Sequence, residues 1–280
     1  MQNIFYIFFL LSLAQVSHAS FLPENNLRIE KSKTLDSDEE IKQRFMPLAT
    51  TIASLYQEQI AAQQATLQIK FDLKSSKVNA YATRKGPDQK LWQVVFLGGM
   101  LRHKNISNNI FISIMCHELG HHLSGGPFKK SSWVSVEGQA DYFTTQNCLK
   151  KVLQHTNLIE ISNQTHRFVE NKCQQEYSNL VDQQYCINTS LVAQDVADFI
   201  IKLRQTRRGR REKTPKIEHR DKTIVHSLKE DHPKAQCRLD TMFEGALCNK
   251  DYSWSMHNCP FTKQFYRGSR PQCWYYPAKN

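Results

Sequence analysis

"MCHELGHHLSGG", residues 115–126, is the stretch on which the reading of this chain turns. Within it His117, Glu118 and His121 fall inside little more than one turn if the stretch is helical. Ser107 or Asn108 can cap such a helix at its start, and Gly125-Gly126-Pro127 stops it. Ile110, Ile114, His117 and His121 then share one side, since residues four apart stack one turn above another. Two imidazoles at that spacing can point at one zinc ion, with Zn–N distances of ~2.0–2.1 Å. Glu118, rotated about 100° from His117, can reach a metal-bound water without binding the metal itself.

A zinc ion that performs chemistry needs a third protein ligand and an open position. A further His six residues after His121 is excluded, because Ser124 and Pro127 stand where that pattern needs Gly and His. The next predicted helix, about Val136 to Val152, carries "VEGQAD", with Glu137 and Asp141 at i and i+4 on one face. Glu137 can complete a His-His-Glu site. Asp141 can accept a hydrogen bond from a ligand imidazole and fix its tautomer. His122 and Cys116 both point about 100° away from their ligand neighbours. His122 is therefore not expected to be a ligand, and Cys116 reads as a structural disulfide or packed thiol.

HELGH followed by EGQAD resembles the gluzincin metallopeptidases, specifically the family of the CAAX prenyl proteases and the heat-shock membrane proteases. "VNAYA" at 78–82 is similar to that family's strand motif upstream of the active-site helix, and "HPKAQCR" at 232–238 has its HPxxxxR spacing. The resemblance covers roughly 70–248 and implies a zinc endopeptidase whose loop or edge strand before the helix pairs with extended substrate. It also brings in His232 and Arg238 as candidate oxyanion stabilisers. The best-known members are membrane-embedded, so this chain looks like a soluble exported branch.

Around the motif, Ser37 and Glu40 resemble a capping box that opens a helix carrying Ile41, Phe45, Leu48, Ile52, Leu55 and Ile60, with Pro47 expected to kink or split it near Met46. "LQIKFDL" (67–73), "VNAYA" (78–82) and "LWQVVFL" (91–97) read as strands, and a third helix is expected over Ser190–Leu203. The fold class is α+β: a small sheet packed on the HExxH and ExxxD helices, with a disulfide-stapled C-terminal segment. The chain divides into a signal peptide (1–19), a polar leader (20–36), a metallopeptidase domain (37–236) and a Cys-rich segment (237–280).

The signal peptide rests on the apolar run Ile4–Leu13 and the small residues Ser17 and Ala19, with the cut placed after Ala19. No later segment reaches the ~20 apolar residues of a membrane span. Eight cysteines in an exported chain read as disulfides, with 105 pairings open. The expected location is periplasmic or secreted. The net charge of +11 is concentrated in Arg204–Lys213, which lacks interleaved aromatics. Nucleic acid is therefore not expected as a partner; a solvated loop facing anionic surfaces is. The expected activity is zinc-dependent hydrolysis of peptide bonds in protein substrates, with Glu118 as base. The alternative is an envelope assembly or binding protein that retains the zinc site without turnover.

Overall fold

A computed structural model describes residues 18–33, 36–130, 132–161, 165–205, 213–250, 259 and 268–276. Four strands form one sheet in the order β1-β3-β4-β2: β1 (His18–Ser20), β2 (Thr66–Asp72), β3 (Ala80–Lys85) and β4 (Leu91–Leu97). β3 and β4 form an antiparallel pair, β2 lies parallel to β4, and β1 adds antiparallel to the free edge of β3. β1 straddles the boundary expected between signal peptide (1–19) and polar leader (20–36).

The motif helix α4 (Asn108–Leu123) is buried from Asn109 to its end. Ser107 caps it, its hydroxyl accepting from the Ile110 amide at 3.2 Å. Phe111 on α4 stacks on Phe96 of β4 and on Phe45, each at 4.6 Å between centroids. These rings belong to the one large apolar core shared by sheet and helices. Phe45 lies on α1 (Asp38–Ser54), which opens with the expected capping box between Ser37 and Glu40. Of the two outcomes expected at Pro47, the split does not occur: α1 runs on through it, and the break comes at Leu55–Tyr56, before α2 (Gln57–Ala62). One lost backbone bond costs about 3 kcal/mol in a helix interior. Burial of Ile41, Phe45, Ala49 and Ile52 along one face offsets it.

After the short α3 (Gly98–Leu101) and α4, the second predicted helix runs as α5 (Glu137–Phe143), a π-helical turn at Thr144–Cys148, and α6 (Leu149–His155). Then come α7 (Arg167–Glu176), α8 (Leu180–Gln205) and α9 (Ala235–Leu247). α8 is longer than the Ser190–Leu203 expected, and the boundary drawn at 236/237 falls inside α9. Disulfides join Cys116 to Cys148, Cys173 to Cys186, Cys237 to Cys273 and Cys248 to Cys259. Cys116 is thus the structural cysteine expected, tying α4 to the π turn, and two bridges staple the C-terminal segment. Among the described residues no helix is long and apolar enough to cross a membrane. Most of the basic stretch Arg204–Lys213 lies outside the described residues.

Candidate metal centre

Two glycines set the spacing of the helices that carry the site. A Cβ on Gly120 would meet Ala140 Cα at 3.0 Å, so α4 and α5 touch backbone to backbone there. A Cβ on Gly138 would run into the buried Trp274 ring at 2.1 Å, so the C-terminal segment presses α5 from behind. In consequence Glu137, at the first turn of α5, faces His117 and His121 across the helix contact. Glu137 Oε2 stands 3.3 Å from His117 Nε2 and 3.5 Å from His121 Nε2, and the two imidazole Nε2 atoms are 3.1 Å apart. All three side chains are fully buried.

The proton arrangement leaves this triangle without a donor. His121 Nδ1 donates to the Ser135 carbonyl at 2.8 Å, and His117 Nδ1 donates to Asp141 Oδ1 at 2.8 Å. Each neutral ring therefore turns an Nε2 lone pair inward. Glu137 Oε2 has no hydrogen-bond partner, while its Oε1 accepts from Lys129 Nζ at 2.7 Å. Three buried acceptors converging on one point need a cation. Ligand atoms ~2.0–2.1 Å from a tetrahedral zinc lie about 3.3 Å apart, the spacing seen here. The group His117, His121 and Glu137 fits a metal ion.

Around the triangle the charges are tightly tied. Arg238 donates through Nε to Asp141 Oδ2 at 2.8 Å and through Nη2 to Oδ1 at 2.7 Å, with both side chains essentially buried. Burial works against the Asp141 charge, but the Arg238 guanidinium holds its carboxyl below the usual range. Burial alone would push His117 down; without a cation in the triangle the Asp141 charge and hydrogen bond outweigh it and raise the imidazole to about 9, so the Nε2 position takes either a proton or a metal ion. Glu118 is wholly buried, neither carboxylate oxygen has a partner, and burial pushes its carboxyl up to about 8. His232 Nε2 lies 3.4 Å from Glu137 Oε2, and burial pushes that imidazole down to about 4, so it is neutral near pH 7.

A family model described as peptidase family M48 matches residues 42–242. The chain belongs to that family. No characterised protein and no solved structure matches it. M48 membership places the chain among the zinc metallopeptidases, hydrolases that act on peptide bonds.

The fold brings every residue singled out in the M48 chain into one place: His117, Glu118, His121, Glu137, Asp141, His232 and Arg238. One placement differs from the reading. Arg238 was grouped with His232 as an oxyanion stabiliser, but its guanidinium is committed to Asp141 and to the Phe21 carbonyl, 2.7 Å from Nη1. His122 lies outside the triangle. Its ring is sandwiched between Trp92 at 5.0 Å and Trp133 at 4.9 Å, and its Nε2 donates to the Gln93 carbonyl. Sequence reasoning missed Lys129 and the Ser135 carbonyl. Both come from the loop between α4 and α5, where no periodicity marks a residue as inward-facing.

Proposed function

We propose that this M48 chain is an exported, zinc-dependent endopeptidase acting on protein substrates. The observation that carries the reading is the Glu118 carboxylate, buried without a hydrogen-bond partner beside three converging ligand atoms. A buried carboxyl in that condition costs several kcal/mol unless a water or a proton occupies it. Export is supported by the four disulfides, which persist in oxidising compartments.

His117, His121 and Glu137 would hold the zinc, which when bound polarises a scissile carbonyl and makes a water acidic near neutral pH. Glu118 takes the proton of the attacking water and passes it to the leaving amine. His232, neutral and with Nε2–H as donor, hydrogen-bonds the carbonyl oxygen as charge develops on it. Asp141 and Ser135 keep the two ligand imidazoles in the Nδ1–H tautomer, and Arg238 anchors Asp141. Lys129 occupies Glu137 Oε1 and leaves Oε2 as the ligand atom.

The test is metal analysis with a cleavage assay on an unfolded protein. Wild type should carry about one zinc per chain and lose cleavage on chelation. Glu137→Ala should lower the occupancy sharply. Full zinc retention in that variant would place the third ligand elsewhere, and cleavage by fully stripped protein would refute the zinc mechanism.

A further inference from the structure

Residues 18–22 lie across the site in the manner of a bound peptide. β1 runs antiparallel to β3 with Ala19 opposite Ala82 and Ser20 opposite Tyr81, and the Phe21 amide donates to the Ala80 carbonyl at 3.0 Å. In an antiparallel pair alternate residues bond the neighbouring strand, so residues 19 and 21 face β3 and Ser20 turns its carbonyl away from it. That carbonyl accepts from His232 Nε2 at 2.6 Å. His232 is in turn 3.4 Å from Glu137 Oε2, and the two legs put the Ser20 carbonyl oxygen within about 6 Å of the ligand triangle.

The residues on either side are held with equal completeness. The Phe21 carbonyl accepts from Arg238 Nη1 at 2.7 Å. Leu22 donates its amide to Asn79 Oδ1 and accepts from Asn79 Nδ2, both at 3.0 Å. The Phe21 ring is fully buried, edge-on to His117 at 5.4 Å and beneath the Arg238 guanidinium at 4.7 Å. Any buried strand carbonyl needs a donor, but the donor here is the imidazole beside the metal ligands. That is where the carbonyl of a peptide about to be hydrolysed would sit.

We propose that the chain cleaves itself between Ser20 and Phe21, an activity that rests on the peptidase reading above. The water oxygen bonds to the Ser20 carbonyl carbon and the Ser20–Phe21 C–N bond breaks. Glu118 carries one of the water's protons to the Phe21 nitrogen, and the second leaves the new Ser20 carboxyl for the freed amine, which becomes an ammonium. The products are a Ser20 carboxylate and a chain that begins at Phe21. Departure of the residues up to Ser20 bares the edge of β3 at Ala82 and Thr83 for another extended polypeptide. The cut sits one residue beyond the leader cut expected after Ala19, so the two events leave different N-termini.

The experiment uses the full chain, zinc-loaded, as wild type, Glu118→Gln and Glu118→Asp. N-terminal sequencing and intact mass are read over time, with cleavage of an unrelated unfolded protein measured alongside. Wild type should begin at Phe21. Glu118→Gln should keep Ser20 while retaining zinc, and Glu118→Asp, with its carboxylate drawn back by one methylene, should convert more slowly. The fraction converted per unit time should not change on tenfold dilution, as an intramolecular step requires. If wild type cuts the unfolded protein but keeps Ser20, the self-cleavage is wrong and the peptidase reading stands. If neither is cut, both fail. A Phe21 terminus in Glu118→Gln would assign the cut to another enzyme and overturn the proposal.

Discussion

Asp141→Asn separates what the site does for the fold from what it does for the metal. The substitution keeps an acceptor for His117 but removes the charge that faces Arg238. That guanidinium has a side chain only 1% exposed and makes two of its three hydrogen bonds, at 2.7 and 2.8 Å, to Asp141. Breaking a buried ion pair by removing one partner costs about 3–5 kcal/mol. At the ~2–4 °C per kcal/mol of a chain this size, the stripped protein should melt roughly 10 °C lower than wild type. The His117 imidazole also loses its anionic partner, which should weaken zinc affinity by about 10–100-fold. The double variant Asp141→Asn/Arg238→Met removes the stranded cation. It should recover most of the thermal loss and none of the zinc loss. The assay is thermal unfolding of chelator-stripped protein beside zinc competition against a chelating dye. Stripped Asp141→Asn that melts within a degree of wild type would refute the energetic argument, and unchanged zinc affinity would refute the role given to Asp141.

Two further outcomes follow from single contacts. Lys129→Met removes the donor to Glu137 Oε1, so zinc affinity in the same competition assay should fall by about tenfold, with cleavage at saturating zinc near wild type. Asp240 has its carboxyl pushed up by burial to about 6, from 3.8. Between those values the folded chain holds a proton that the unfolded chain has released, so stability falls as pH rises through the window, by up to about 3 kcal/mol. Urea unfolding at pH 4 and pH 6.5 should show that fall reduced by a comparable amount in Asp240→Asn.

Much of the site could be read from the sequence because its chemistry is local. His117, Glu118 and His121 sit within one turn, and Glu137 and Asp141 within another, so helical spacing alone aligns each set. Joining the two sets rested on their lying on two successive predicted helices, and only His232 and Arg238 drew on the family pattern; the close α4–α5 contact at Gly120 is what makes the join physical. The parts that escaped are those with no periodic signature. Lys129 and the Ser135 carbonyl act from a loop, one through a long flexible side chain and the other through backbone that any residue supplies. β1 escaped because Ser17 and Ala19 look like a peptidase site, while the partner strand that gives His18–Ser20 a structure lies some 60 residues away. α9 carried a signal that went unused. Ala235, Leu239, Met242, Phe243, Ala246 and Leu247 recur at helical spacing, while the reading of this region rested on its cysteines alone. At Pro47 the local rule allowed a split, and burial along the rest of the α1 face keeps the helix continuous.

The central claim is that Glu118 moves a proton beside a zinc ion it does not hold. Zinc content and turnover of an unfolded protein, measured on the same preparations of wild type and Glu118→Gln, test it most directly. The glutamine keeps the shape and removes the basic lone pair, so turnover should fall by at least ~10²–10⁴ while both proteins carry equal zinc, and added zinc should restore nothing. Equal turnover in the two, or rescue of Glu118→Gln by zinc, would contradict the account.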